Sequence, residues 1–162
     1  MSSLEASINL PPDVSGPAVH DPVKQCLANI RAHGRLPQGE DASLLRGAHL
    51  IGEDLSGMDL SGLDLSGADL SRANLSNTRL MATRLNGAVL FEADLTGCEL
   101  LSANLEGANL SSCRAEKAGF ESADLTNANL FSAELKGAAF TKAILHGADM
   151  RRTDLTGARL RE

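Results

Sequence analysis

The stretch SGMDLSGLDLSGADL, Ser56 to Leu70, repeats its pattern every five residues. Five suits neither regular element. Successive helical residues turn by about 100°, so positions five apart lie roughly 140° apart around a helix. In a flat strand an odd spacing sends them to opposite faces, so neither element would gather Leu60, Leu65 and Leu70 on one side. Residues i and i−2 of a short extended segment do share a face. A chain that turns a corner between such segments can therefore aim every leucine, and the small residue two before it, at one axis. Five residues then make one side of a coil.

The frame runs without insertion or deletion from Ser43 to the end. Its central position falls on every multiple of five from Leu45 to Leu160, giving 24 sites, of which 20 are Leu and the rest Ala115, Phe120, Phe140 and Met150. Two residues earlier, 15 of 24 are Ala and six more are Ser, Thr or Cys. A large residue paired with a small one must face a confined space, while the other three positions are polar or Gly with few exceptions. Repetition at a short fixed period means a solenoid. Glycine two after the leucine, as at Gly57, Gly62 and Gly67, suits a corner because it accepts positive φ. Periodicity alone leaves the number of sides open.

Residues 1–42 have another texture and hold all five prolines. Residues 1–20 show no periodicity and are expected to be a mobile tail. Asp21 as N-cap, Pro22 at the first helical position, Val23, Cys26, Leu27 and Ile30 at i, i+3, i+4 and i+7, and Gly34 as terminator predict an amphipathic helix over 22–33. Residues 21–42 are thus a helix and connector, with the helix placed to cap the first coil of the 43–162 solenoid. Glu53, Met58 and Leu63 occupy inward small-residue positions there, which suggests an irregular end or contact with the helix.

Hydrophobic residues make up 43% of the chain, yet it has no Trp or Tyr and four Phe, so the core must be built from Leu and Ala. A net charge of −6 gives no basic footprint for direct nucleic-acid binding and no polybasic membrane segment. Three cysteines and no signal-peptide core point to a reducing, cytoplasmic setting. No apolar stretch approaches the roughly 20 residues of a membrane span.

The triplets Ala68-Asp69-Leu70, Ala73-Asn74-Leu75, Ala93-Asp94-Leu95, Ala103-Asn104-Leu105, Ala108-Asn109-Leu110, Ala123-Asp124-Leu125 and Ala128-Asn129-Leu130 resemble the pentapeptide-repeat family, whose signature is A-[D/N]-L-x-x. The resemblance covers residues 43–162. It implies an all-β fold, a right-handed, quadrilateral parallel β-helix of twenty residues per coil and about six coils, close to 29 Å tall at the roughly 4.8 Å spacing of neighbouring strands. Folding the frame by twenty stacks Phe120 on Phe140, with the undersized Ala115 one side before, so volume is exchanged locally as a packed core requires.

No catalytic motif is present, and a smooth rod has no cleft, so no enzyme activity is expected. No histidine pair has metal-ligand spacing, Cys98 and Cys113 read as small core residues, and no metal or cofactor is expected. The recurring Asp and Asn read as corner residues that bond the neighbouring backbone. The positions that the repeat does not dictate are more informative. One outward column reads Ile51, Ser71, Phe91, Ser111, Phe131, Arg151, with Val89 beside Phe91, and a second, two sides on, includes Met81 and Leu101. These six apolar residues are candidates for a protein-docking face; the alternative is isolated surface hydrophobes, or packing under the mobile tail.

Another column, Asp54, Asn74, Asp94, Arg114, Glu134, Asp154, is a mostly acidic ladder. Some members of the family resemble duplex DNA and bind DNA gyrase, protecting it from quinolones. This chain differs in having no inserted loop, no C-terminal helix and basic residues mixed among its acids. The expected role is therefore a rigid interaction or scaffold module for a protein partner, with gyrase modulation as the alternative and an unrecognised surface enzyme as a remote one. At Leu160 the frame stops without a cap, so either two rods pair end to end through the last coil or the chain belongs to a longer one.

Overall fold

A computed structural model describes residues 21–36 and 41–160. The expectation of a mobile tail over 1–20 lies outside these residues. Helix α1, Pro22–His33, begins where its sequence signals place it. Asp21 has extended backbone, and its Oδ1 accepts from the Val23 and Lys24 amides at 3.0 and 3.3 Å. Those bonds satisfy two of the donors that a helix start leaves open. Gly34 ends the helix at φ 76°, the left-handed conformation that closes a helix at low cost in glycine.

Residues 41–160 wind in coils of twenty. Every bridge in this region joins residue i to i+20 in parallel, from His49 with Asp69 to Ala139 with Arg159. The ladder register has a simple rule. The amide of each central residue donates to the carbonyl one coil below, as Leu50 N to Asp69 O at 2.8 Å, and the bridging residue donates back up, as Asp69 N to Ala48 O at 2.9 Å. Four sides therefore close one lap.

Each side ends in a corner closed by a bond from the small residue's amide to the central residue's carbonyl, as Ala68 N to Leu65 O at 3.0 Å. The residue between them has positive φ at all 23 corners from Gly47 to Gly157, while the residue before it never does. That combination is the type II turn. Only 11 of the 23 are glycine; Ser102, Lys117, Arg152 and nine others hold φ of 53 to 60°. A side chain in this conformation costs on the order of 1 kcal/mol or more, so the ladder bonds above and below each corner impose the geometry.

The interior is one continuous column. From Leu55 to Leu135 every central side chain is fully buried, and Phe120 and Phe140 stack with centroids 4.9 Å apart and planes 1° from parallel. Alanine fills most small slots. Three of the residues that replace it have a fixed partner: Thr78, Thr83 and Cys98 donate to the carbonyls of Leu55, Leu60 and Leu75, each 23 residues earlier. A buried hydroxyl with a partner carries little penalty, which explains why threonine enters this core. Burial pushes the Cys98 and Cys113 thiols up to about 12, so they behave as small core residues.

The first coil keeps the same frame despite its unusual small-slot residues. Met58 and Leu63 are buried, and Glu53 is half-buried with a carboxylate oxygen 3.9 Å from Arg31 of α1. Arg31 also donates to Asp54 O at 2.8 Å. On the coil below, the equivalent carbonyl of Asn74 accepts from Leu55 N. An arginine from the helix thus replaces the amide that a preceding coil would supply. Cys26, Leu27 and Ile30 of α1 join the core cluster of the rod.

Candidate functional site

Counting corners from residues 46–47, the first corner stacks 46, 66, 86, 106, 126 and 146, the second stacks 51 to 151, the third 56 to 156 and the fourth 61 to 141. The first and third are diagonal partners, as are the second and fourth. The left-handed position is glycine at nine of 12 corners on the first diagonal and at two of 11 on the other. Every large apolar residue that follows a central residue also lies on the second diagonal: Ile51, Phe91 and Phe131 at the second corner, Met81 and Leu101 at the fourth.

These candidates differ in how far they project. Ile51 is 56% exposed, Leu101 41% and Met81 37%. Phe91, Phe131 and Val89 are half-buried, where the sequence suggested exposed aromatics. For Phe131 the reason is visible: the guanidinium carbons of Arg151 and Arg152 lie 5.9 and 5.5 Å from its ring centroid, within the range of cation–aromatic attraction. The two corners face opposite ways, so the six residues form two surfaces and not one.

The acidic ladder is present as a column but not as a run of free charge. Asp54, Asp94 and Asp154 each accept from the amide two residues on, at 3.1, 3.0 and 2.9 Å. Arg114 reaches up to Asp94 at 2.6 Å, and Lys136 lies 3.9 Å from Asp154. Neighbouring columns repeat the arrangement, with Arg79 on Asp59 and Arg84 on Asp64, again between coils. Hydrogen bonds from Ser56 hold Asp54 below the usual carboxylate range, and those from Thr156 do the same for Asp154. For Asp94 desolvation pulls upward, but Thr96 and Arg114 outweigh it and the net shift is down.

Two of the concavities among the described residues bear on function. One, of about 610 Å³, lies between α1 and the first coil and is lined by Val23, Leu27, Arg31, Leu44, Leu50 and Glu53 among others. The other, of about 570 Å³, runs beside the fourth corner between Met81, Leu101, Glu99, Gly119 and Glu121. The sequence carried a signal for the second that spacing analysis passed over. Gly119 is the only glycine in the position before a central residue, and Ala139, its bridge partner one coil below, is the only alanine. The side chain missing at Gly119 leaves a hollow. Among the described residues, no group of His, Cys, Asp or Glu is arranged to hold a metal ion, and no helix is long and apolar enough to cross a membrane.

The sequence matches the family of pentapeptide repeats in 8 copies, over residues 42–77, 73–111, 83–121 and 123–162. This chain belongs to the pentapeptide-repeat family. Its coil is accordingly the right-handed quadrilateral β-helix of that family. Rfr23, a pentapeptide repeat protein from the cyanobacterium Cyanothece 51142, is similar in structure, with a TM-score of 0.55 and 26% identity across 85% of this chain and 94% of that one. A pentapeptide repeat protein from Nostoc Pcc 7120, alr5209, is 31% identical over 86% of this chain and 95% of its own, with a TM-score of 0.38. QnrB1, a plasmid-mediated fluoroquinolone resistance protein, is 23% identical over 69% and 72% with a TM-score of 0.35. No curated protein matches the sequence.

Proposed function

We propose that this pentapeptide-repeat chain is a non-enzymatic interaction module that acts in the cytoplasm and presents side chains at fixed spacing to a protein partner. The observation that carries this reading is the segregation of corners. The corners of one diagonal carry only glycine and polar or charged residues, while Ile51, Phe91, Phe131, Met81 and Leu101 are confined to the other. Neither the turn nor the core demands that division, because all four corners have the same backbone and each follows a central residue of the inward column. Apolar side chains set on a rigid frame bind with little loss of conformational freedom. Pairing of two rods end to end belongs to the same proposal: in the last described coil Leu145, Met150 and Leu155 are half-buried and Leu160 is 56% exposed.

The test is site-specific photo-crosslinking in cells, with the reactive group placed in turn at positions 51, 91 and 101 and at 86 and 106. One partner captured from the first set and not from the second supports the module. Equal capture from both sets contradicts it. Modulation of DNA gyrase is the alternative. Mimicry of DNA needs a continuous anionic stripe, and the cross-coil pairs of Arg79, Arg84 and Arg114 with acids count against one. Inhibition of gyrase supercoiling by the purified chain would reverse that preference. Light scattering of the same sample reads the mass of a monomer or a pair.

A further inference from the structure

We propose that the groove beside the fourth corner docks an extended partner segment in which one large apolar side chain is flanked by lysine or arginine. The proposal rests on the interaction-module reading and names the chemistry of one of its surfaces. Met81 and Leu101 stand one above the other on successive coils and supply an apolar ledge that the solenoid itself does not use. Beside that ledge the surface drops at Gly119, which has no side chain and lines the hollow. The hollow of about 570 Å³ is of the size that holds a small ligand or one anchoring side chain.

The charge at the groove selects the flanks. Glu99 is exposed on one side. The Glu121 carboxylate lies across Gly119, with Oε2 only 2.6 Å from where a Cβ at that position would be. Neither carboxylate has an ion pair among the described residues. Of the neighbouring cations, Arg79 is committed elsewhere, reaching up to Asp59 at 3.1 Å, whereas Lys117 lines the groove. Two unpaired carboxylates against one lysine leave the groove and its apolar ledge net negative, which complements a cationic segment with an apolar anchor and repels an acidic one, or a nucleic-acid backbone. Glu121 can swing off Gly119 to meet a cation, because the corner that carries it has no bond to its carboxylate.

The experiment is amide-resolved NMR titration of the full chain with two short blocked peptides, one with leucine between two lysines and one with leucine between two glutamates. The lysine peptide is expected to move the amides of Gly97, Leu101, Gly119 and Glu121 and few others, with binding that weakens as salt is added. Leu101→Ser should weaken it by about tenfold, and Glu99→Gln with Glu121→Gln by about two- to fivefold for each carboxylate lost. Both changes are on exposed or half-exposed side chains, so the amide spectrum also reports that the fold is kept. Shifts scattered over the rod, shifts of equal size with the glutamate peptide, or titrations unaltered by Leu101→Ser would overturn the assignment. Those results would leave the interaction module standing, because crosslinking from the second corner judges it separately.

Discussion

Leu100 and Leu101 are chemically identical neighbours, yet one is 0% exposed and the other 41%. Leu100 falls on a multiple of five and points at the axis; Leu101 begins a corner and points away. The difference teaches that burial in this protein follows position in the frame and not the hydrophobicity of the residue. Inward columns are uniform because twenty-residue coils place each leucine over another. Outward columns are free to vary, so what they carry is information about use.

The sharpest way to break that contrast is to shift the frame. One residue inserted after Gly97 would turn every later leucine outward, and cooperative thermal unfolding should disappear, a loss of the full stability of about 5–15 kcal/mol of a typical domain. A five-residue repeat inserted at the same place keeps the inward rule and should leave a cooperative, mostly β spectrum. Next in size, Leu100→Ala should cost about 2–5 kcal/mol in denaturant titration. Leu101→Ala, one position on, should stay within about 0.5 kcal/mol.

A third effect separates the acids on the bridging positions from ordinary surface acids. Asp54, Asp69 and Asp124 are lowered mainly by bonds from the serine or threonine two residues on, and Asp149, bonded by Arg151, lies at about 2. A folded value below the unfolded one means that the contribution is present above about pH 4 and is lost as pH falls through the folded values. Melting temperature should therefore decline steadily from about pH 4 toward about pH 2. The smallest effect concerns the corners. Ser102 holds φ 56° where glycine would be unstrained, so Ser102→Gly should raise stability by about 0.5–1 kcal/mol, measured by the same titration.

Much of the fold was legible because leucine at every fifth position admits few backbones, and the stack of Phe120 on Phe140 follows once the frame is folded by twenty. The helix was legible from Asp21, Pro22 and Gly34, whose types are dictated by backbone chemistry at helix ends. The number of sides was not, since a period of five is compatible with any closed coil; the ladder register fixes it at four. Pairs such as Arg84 with Asp64 are twenty residues apart and become visible only after that number is known. The half-burial of Phe131 depends on where two arginine side chains come to rest, which no spacing encodes. Gly119 matters only through its place in an outward column, which is visible once the coil is folded by twenty.

The most direct measurement is of through-space proton contacts in the amide-resolved spectrum across the middle coils. The account predicts contacts between residues twenty apart, such as Asn104 with Asp124 and Glu99 with Gly119, at bridging positions on all four sides. Contacts dominated by separations of three and four, or a long-range register other than twenty, would contradict it.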